Sequence, residues 1–142
     1  MANVIPYAFR GELFTGTHNF ASGGDSFKLA LYTANPYNTS STVYSATNEV
    51  SSSGGSNYVT AGNALTGNAV VYATAVASCD FADSTWSSAT FTAAFGAIYN
   101  DDQSDKLCVV LDFSGDKTAT NGTFKITFPN PATPADAIIS MA

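Results

Sequence analysis

The side chains that could act as nucleophiles, bases or zinc ligands are few and lie far apart in this sequence. His18 is the only histidine, so a Ser-His-Asp triad would have to use it, and no Gly-x-Ser-x-Gly motif is present. One histidine and two separated cysteines, Cys79 and Cys108, cannot supply a tetrahedral zinc site. We interpret His18 as an ordinary polar residue. We interpret the cysteines as buried free thiols. A disulfide between them is the alternative if the two side chains face each other.

The acidic residues suggest two other kinds of site. Two acidic clusters lie in predicted loops: Asp80 with Asp83, and Asp101 with Asp102 and Asp105. Calcium takes oxygen ligands of this type, but the EF-hand spacing is absent, and aspartate is also a common turn residue. A glycosidase needs two carboxylates across a cleft, and the only glutamates, Glu12 and Glu49, lie outside the predicted strands. The sequence therefore predicts no catalytic residue, no metal and no cofactor.

Charge excludes two classes of partner. Only 11% of the residues are charged, against about 25% in a typical protein, and the net charge is −6. Nucleic acids and anionic membranes both require clusters of Lys and Arg, so neither is expected as a partner. No apolar run approaches the roughly 18 residues of a membrane span, and no signal peptide is predicted. A weakly charged polar surface is typical of a protein that packs against partners, and equally of a hydroxyl-rich β-sandwich.

The strongest structural pattern is a hairpin. Phe91, Phe95 and Tyr99 fall at even spacing, which predicts one face of an extended strand. Residues 100–105 are polar turn formers, and residues 106–113 are almost continuously apolar, which predicts burial on both faces. The pattern therefore predicts two strands joined by a loop longer than two residues.

Further short strands are predicted between Gly, Asn and Pro turns. The predicted strands and edge pieces cover residues 27–33, 57–62, 63–66, 68–77, 123–128 and 137–141. A long polar loop over 35–56 carries a short element near Val43 and Tyr44. Since no long helical pattern appears, we predict a single antiparallel β-sandwich domain over residues 1–142, immunoglobulin-like or jelly-roll-like.

The first 20 residues are predicted to form a short helix or an irregular arm. Pro6 can begin such a helix and Gly16 can end it. The large apolar residues of this segment pack either on their own domain or on a neighbouring subunit, and both alternatives stay open. In the second case the interface residues are Ile5, Tyr7, Phe9, Leu13 and Phe14.

A carbohydrate-binding module is a second functional class, because such modules are often β-sandwiches with exposed aromatic side chains. Trp86 is the only tryptophan and would be the natural platform for a sugar ring. However, it lies beside alternating apolar positions, which favours a place in the core. A carbohydrate binder should instead expose a coplanar pair of aromatic rings.

Several segments are informative when taken together. They are residues 12–13 with 18–20, then 27–33, 58–65, 80–86, 97–100, 110–113, and 116–117 followed by 122–124. Their order and spacing resemble small virion structural proteins of tailed bacteriophages, cyanophages among them. The resemblance implies a non-enzymatic capsid cement (decoration) protein of the virion, assembled in the host cytoplasm, or else a tail or head–tail component. It implies the major capsid protein and copies of itself as partners, with a trimer at three-fold positions, and it supplies no catalytic residues.

Overall fold

The computed structural model of this chain describes residues 3–73, 75–133 and 136–141. Its elements are α1 (Tyr7–Phe14), β1 (Phe27–Tyr32), β2 (Asn63–Ala64), β3 (Ala69–Ala73), β4 (Val76–Asp80), β5 (Ser84–Asn100), a 3₁₀ turn (Asp101–Gln103), β6 (Lys106–Ile126) and β7 (Ile139–Met141). The strands form two antiparallel sheets, with the orders β2-β1-β5-β6 and β3-β4-β7. The predicted all-β sandwich with a short N-terminal helix is confirmed.

The hairpin of β5 and β6 is the longest feature of the fold. The loop predicted over residues 100–105 contains the 3₁₀ turn, and both strands are longer than predicted. The predicted turn at 114–117 lies within β6, where the pairing jumps from Lys117 with Ala93 to Asp112 with Phe95. Residues 113–116 therefore form a bulge opposite a single residue of β5, and the predicted strand over 123–128 is largely the end of β6.

The core is divided between the two faces of β1. Phe27, Leu29 and Leu31 belong to the main cluster, whereas Ala30 and Tyr32 belong to a second cluster. The predicted burial of residues 106–113 on both faces is confirmed for its first half, since Leu107, Cys108, Val109 and Val110 are all buried and divide between the two clusters.

One predicted strand face is wrong. Phe91 packs in the main cluster, but Phe95 and Tyr99 pack in the second. The register of β5 against β6 shifts between Ala93 and Phe95. Side chains at even spacing before and after this shift therefore lie on opposite faces of the sheet. The sequence carries no sign of this shift on β5 itself.

Turns occur in two segments that were predicted to be wholly or partly extended, residues 68–77 and 57–62. The strand predicted over 68–77 is a hairpin of β3 and β4, and its turn includes Ala75 in the left-handed region with φ 63°. An alanine is uncommon there, since its Cβ crowds the following carbonyl. Residues 57–62, predicted as a short edge piece leading into a turn, form no strand, but the predicted turn is present at Thr60 and Ala61, and Gly62 follows it with φ 80°. A Cβ on Gly62 would lie 2.0 Å from the Leu29 carbonyl oxygen, so this position requires glycine.

The long loop after β1 is held by tyrosines that converge on Glu49. The carboxylate accepts hydrogen bonds from Tyr44 Oη (2.6 Å), Tyr58 Oη (2.7 Å) and the Ala61 amide (2.7 Å). Val43 forms a single β-bridge with Lys106, which confirms the predicted short element. The loop is thus fastened to the sheet at several points although it contains no regular strand.

Candidate functional site

Helix α1 positions the predicted interface residues. Pro6 stands immediately before the helix, and Gly16 follows it with φ 68°. The Gly16 amide donates to the Leu13 carbonyl and the Thr17 amide to the Glu12 carbonyl, which is the Schellman arrangement that ends a helix. The predicted start and end of the helix are therefore confirmed to within a residue.

The helix has two apolar stripes rather than one. Phe9 is fully buried, and Leu13, one turn later, packs against the main cluster. Tyr7 and Phe14 lie two turns apart on another face and are 56% and 93% exposed. Of the predicted interface, Phe9 must be corrected to a core residue of its own chain. Ile5, at 36% exposure, joins Tyr7 and Phe14 as an accessible candidate.

His18 lies at the centre of a buried polar network and is not an ordinary surface residue. Its Nε2 is 2.8 Å from Glu12 Oε2, and its Nδ1 is 3.0 Å from Asn100 Nδ2. The amide nitrogen of Asn100 can only donate, so His18 Nδ1 accepts and Nε2–H donates to the carboxylate. The same Asn100 nitrogen also donates to Asp25 Oδ2 at 2.7 Å.

The network continues to Lys106, whose Nζ is 2.5 Å from Glu12 Oε1. Burial raises the pKa of the Glu12 carboxyl, but the hydrogen bonds from Lys106 and His18 outweigh it and leave the pKa below its ordinary value. The carboxylate therefore connects helix α1 to the start of β6. The residues of this polar network are spread from residue 12 to residue 106, so no local motif marks them in the sequence.

Cys108 lies beside this network, with its Sγ 4.0 Å from His18 Nδ1. A cysteine and a histidine are the residue types of a nucleophilic dyad. However, Cys108 is fully buried, and burial raises the pKa of its thiol well above the ordinary value. His18 Nδ1 already faces Asn100, so it is not aimed at a reacting atom. Burial likewise raises the pKa of Cys79 to about 11, and both cysteines are free thiols.

The acidic clusters serve as internal tethers. Asp101 pairs with Lys28 at 2.9 Å, and Asp102 Oδ2 accepts the Ser26 amide at 2.7 Å. Asp83 likewise pairs with Lys125 at 2.7 Å. Among the described residues, no group of three or more His, Cys, Asp or Glu side chains could hold a metal ion. Asp101 and Asp102 lie in the 3₁₀ turn, as interpreted, whereas Asp80 is the last residue of β4 and its predicted place in a loop is wrong.

Trp86 is a core residue, as predicted. It is 3% exposed and packs against the rings of Tyr58, Phe91 and Phe124. Its indole Nε1 is buried and has no hydrogen-bond partner within the described part of the chain. It therefore offers no surface to a sugar ring.

The exposed aromatic side chains are Tyr7, Phe14 and Tyr72. In the part of the chain that the structure describes, no two of them are in ring contact. The coplanar exposed pair expected of a carbohydrate binder is thus not formed by neighbouring rings here.

Two clefts lined by described residues bear on the search for a site. The larger, of about 610 Å³, lies between β6 and residues 136–138, with Phe113 and Phe124 in its wall and Lys117 at its rim. The smaller, of about 230 Å³, lies between helix α1 and the three-stranded sheet, and Leu13 and Met141 line it. The larger has the size of a small-molecule site, and the charged residues that line it are Asp112, Lys117, Lys125 and Asp136.

Comparisons with family models, with curated proteins and with solved structures found no match for this chain. In the ranges that the structure describes, no helix is long and apolar enough to cross a membrane. The function must therefore be argued from the surface and the site geometry.

Proposed function

We propose that this chain is a non-enzymatic virion structural protein, a capsid cement (decoration) protein that stabilises capsomer junctions in the particle. A tail or head–tail component is the alternative position. The partners are the major capsid protein and copies of the same chain. The resemblance to virion proteins of tailed phages supports this assignment, and so does the all-β architecture.

The observation that carries the proposal is the pair Tyr7 and Phe14. These large side chains stand exposed on a helix whose other side is locked into the core by Phe9 and Leu13. Burying each exposed ring against a partner would contribute about 1.5–3 kcal/mol. A rigid helix that displays two apolar rings suits a flat protein partner better than a small substrate.

The buried side chains support the same assignment. Glu12, His18 and Cys108, which could supply acid–base or nucleophilic chemistry, are all engaged in internal contacts. A cement protein needs no reactive group, because it raises particle stability through its binding free energy alone. A carbohydrate-binding role receives no comparable support, since Trp86 lies in the core.

The direct test is location in the particle. Mass spectrometry of purified virions should detect the chain in many copies, and cryo-electron microscopy should place it at capsomer junctions. Detection only at the tail would select the alternative position. Complete absence from purified virions would refute the proposal, and specific binding of the isolated protein to a glycan array would favour the carbohydrate class.

The surface can be tested by substitution. Deleting residues 1–20 is a poor choice, because Phe9, His18 and Phe20 are buried and the protein would lose part of its core. We instead propose the double variant Tyr7→Ser with Phe14→Ser, measured by co-sedimentation with capsids that lack this protein.

The expected result is a loss of capsid affinity of at least about tenfold, with unchanged circular dichroism. The matched control is Val59→Ser, which removes a 63% exposed apolar side chain from another part of the surface. If the double variant binds capsids as tightly as the control does, helix α1 is not the docking surface.

A further inference from the structure

Strand β3 is an edge that lacks the usual protection against pairing. Natural edge strands are kept short, covered, bulged or charged. In the described part of the fold, β2 has two residues and β7 has three. The outer edge of β6 is bridged near its start, by Val43 at Lys106 and by Val4 at Val110, and the rest of that strand is bulged and carries Asp116, Lys117 and Lys125. By contrast, β3 has five residues in unbroken register with β4 and no strand on its other side.

Strand β3 and the segments beside it in the sequence carry no charge, and the charged residue paired with β3 is Asp80 of β4, opposite Ala69 on the side away from the open edge. No Asp, Glu, Lys or Arg occurs between Glu49 and Asp80, although the whole chain has a net charge of −6. Two copies of an acidic protein repel each other wherever their charged surfaces meet. The β3 edge is a place where a second copy can approach without bringing like charges together.

The sequence of β3 is nearly palindromic about Val71. It reads Ala-Val-Val-Tyr-Ala, and two antiparallel copies centred on Val71 would place Val70 opposite Tyr72 and Ala69 opposite Ala73. Val70 and Tyr72 lie on the same face of the strand and are 37% and 81% exposed. Such a pairing brings a β-branched side chain against an aromatic one twice, which is a favourable cross-strand combination.

We propose that β3 of one copy pairs with β3 of a second copy about a two-fold axis at Val71, which joins the two three-stranded sheets into one of six strands. The contact is isologous, so each copy gives and receives the same interactions. The inference rests on the proposed function only in taking a second copy of this chain as a partner.

The smaller cleft fits this arrangement. Val70 lines it together with Leu13 and Met141, and Met141 stands in line with Tyr72 across β4. Tyr72 of the second copy would lie against Val70 at the rim of the cleft. The pairing therefore covers apolar surface at the β3 edge that one copy leaves open, namely that of Val70 and the 81% exposed Tyr72.

The register is tested by cysteine cross-linking of the full chain under mild oxidation. With the axis at Val71, Val71→Cys brings two new thiols directly opposite each other, within the Cα separation that a disulfide tolerates. Ala73→Cys is the matched control, because its two copies would be four residues apart, roughly 13 Å. The wild-type protein measures any background from Cys79 and Cys108.

We expect a covalent dimer from Val71→Cys and at most the wild-type background from Ala73→Cys. Light scattering of the wild type should show a mass that rises from 14.7 kDa towards twice that value with concentration. Tyr72→Lys should keep the mass at the single-chain value, and its circular dichroism should match the wild type.

Three results would overturn the pairing: a monomeric mass at every concentration, a three-fold mass with an unreactive Val71→Cys, or equal cross-linking of Val71→Cys and Ala73→Cys. Failure here is distinguishable from failure of the proposed function, because the presence of the chain in virions is measured separately on the particles. A chain found in virions but monomeric in solution would refute this inference alone.

Discussion

Glu12→Gln is the most informative single substitution in the buried network. Each oxygen of the Glu12 carboxylate accepts from a different donor, Oε2 from His18 and Oε1 from Lys106. Glutamine keeps one acceptor and replaces the other with an NH₂ group. One of the two donors must then face another donor, so the substitution necessarily breaks one contact, whichever way the amide turns.

The cost follows from the kind of hydrogen bond that is lost. A hydrogen bond to a charged group contributes about 1.5–3 kcal/mol, and the 35% exposure of the Lys106 side chain reduces the share that its charge supplies. We therefore expect Glu12→Gln to lower the free energy of unfolding by about 2 kcal/mol at pH 7. A domain with about 5–15 kcal/mol of stability remains folded after such a loss.

The effect should depend on pH with a definite sign. The pKa of Glu12 is lower in the folded chain than its ordinary value of 4.5, so its ionisation stabilises the fold above that pH. The stabilisation is lost as the pH falls through the folded pKa. The gap between wild type and Glu12→Gln should thus be constant from pH 6 to 7 and shrink below about pH 4.5.

Urea denaturation followed by circular dichroism at pH 7, 5 and 3.5 measures this gap. Asp116→Asn is the matched control, since it removes a carboxylate from the exposed bulge of β6. A second check introduces Glu12→Gln into the Lys106→Met variant. There it should lower the free energy of unfolding much less than in the wild type, because glutamine then has to accept a hydrogen bond only from His18. A gap below about 0.5 kcal/mol at pH 7, or one that grows in acid, would refute the reasoning.

Three further predictions concern the backbone and the core. Ala75→Gly should raise the melting temperature by about 3 °C, because glycine removes the strain of φ 63° at the β3–β4 turn. A melting temperature below that of the wild type would contradict this turn conformation. Gly62→Ala should destabilise the protein by about 3–5 kcal/mol in urea titrations, since its Cβ would meet the Leu29 carbonyl, and a neutral result would exclude this close approach. Trp86→Phe should cost less than about 1 kcal/mol because it also removes the unpartnered indole N–H, whereas Trp86→Ala should cost about 3–5 kcal/mol, and a Trp86→Phe loss well above about 1 kcal/mol would contradict a penalty for the buried N–H.

Local patterns predicted much of the fold. β1, the β5–β6 hairpin, the core position of Trp86 and the limits of α1 all follow from alternation, turn residues or helix-ending residues close in the chain. The β3–β4 turn was missed because it uses Ala75 in place of the glycine or asparagine that usually marks such a turn. The bulge in β6 was mistaken for a turn for the opposite reason, since Ser114 and Gly115 are turn residues used inside a strand.

The candidate site was less predictable than the fold. The aromatic residues of α1 do not form one stripe, and only the packing of Phe9 separates the buried face from the exposed one. The contacts of His18 with Glu12, Asn100 and Cys108 join residues up to 90 positions apart, and such pairings leave no trace in local spacing. Long-range contacts of this kind depend on the register of β5 and β6, which the sequence does not specify at the bulges.

The buried network also bears on the proposed docking surface. Glu12 belongs to α1, Lys106 begins β6, and His18 connects both to Asn100 at the end of β5. These bonds hold the helix against the long β5–β6 hairpin. A docking surface costs least to use when its side chains are already in place, because little conformational freedom is lost on binding. The network therefore makes the Tyr7 and Phe14 face a preorganised surface. If the proposed docking on capsids is right, loss of Glu12 should weaken it, although the Glu12 side chain is bonded within its own chain and is only 15% exposed.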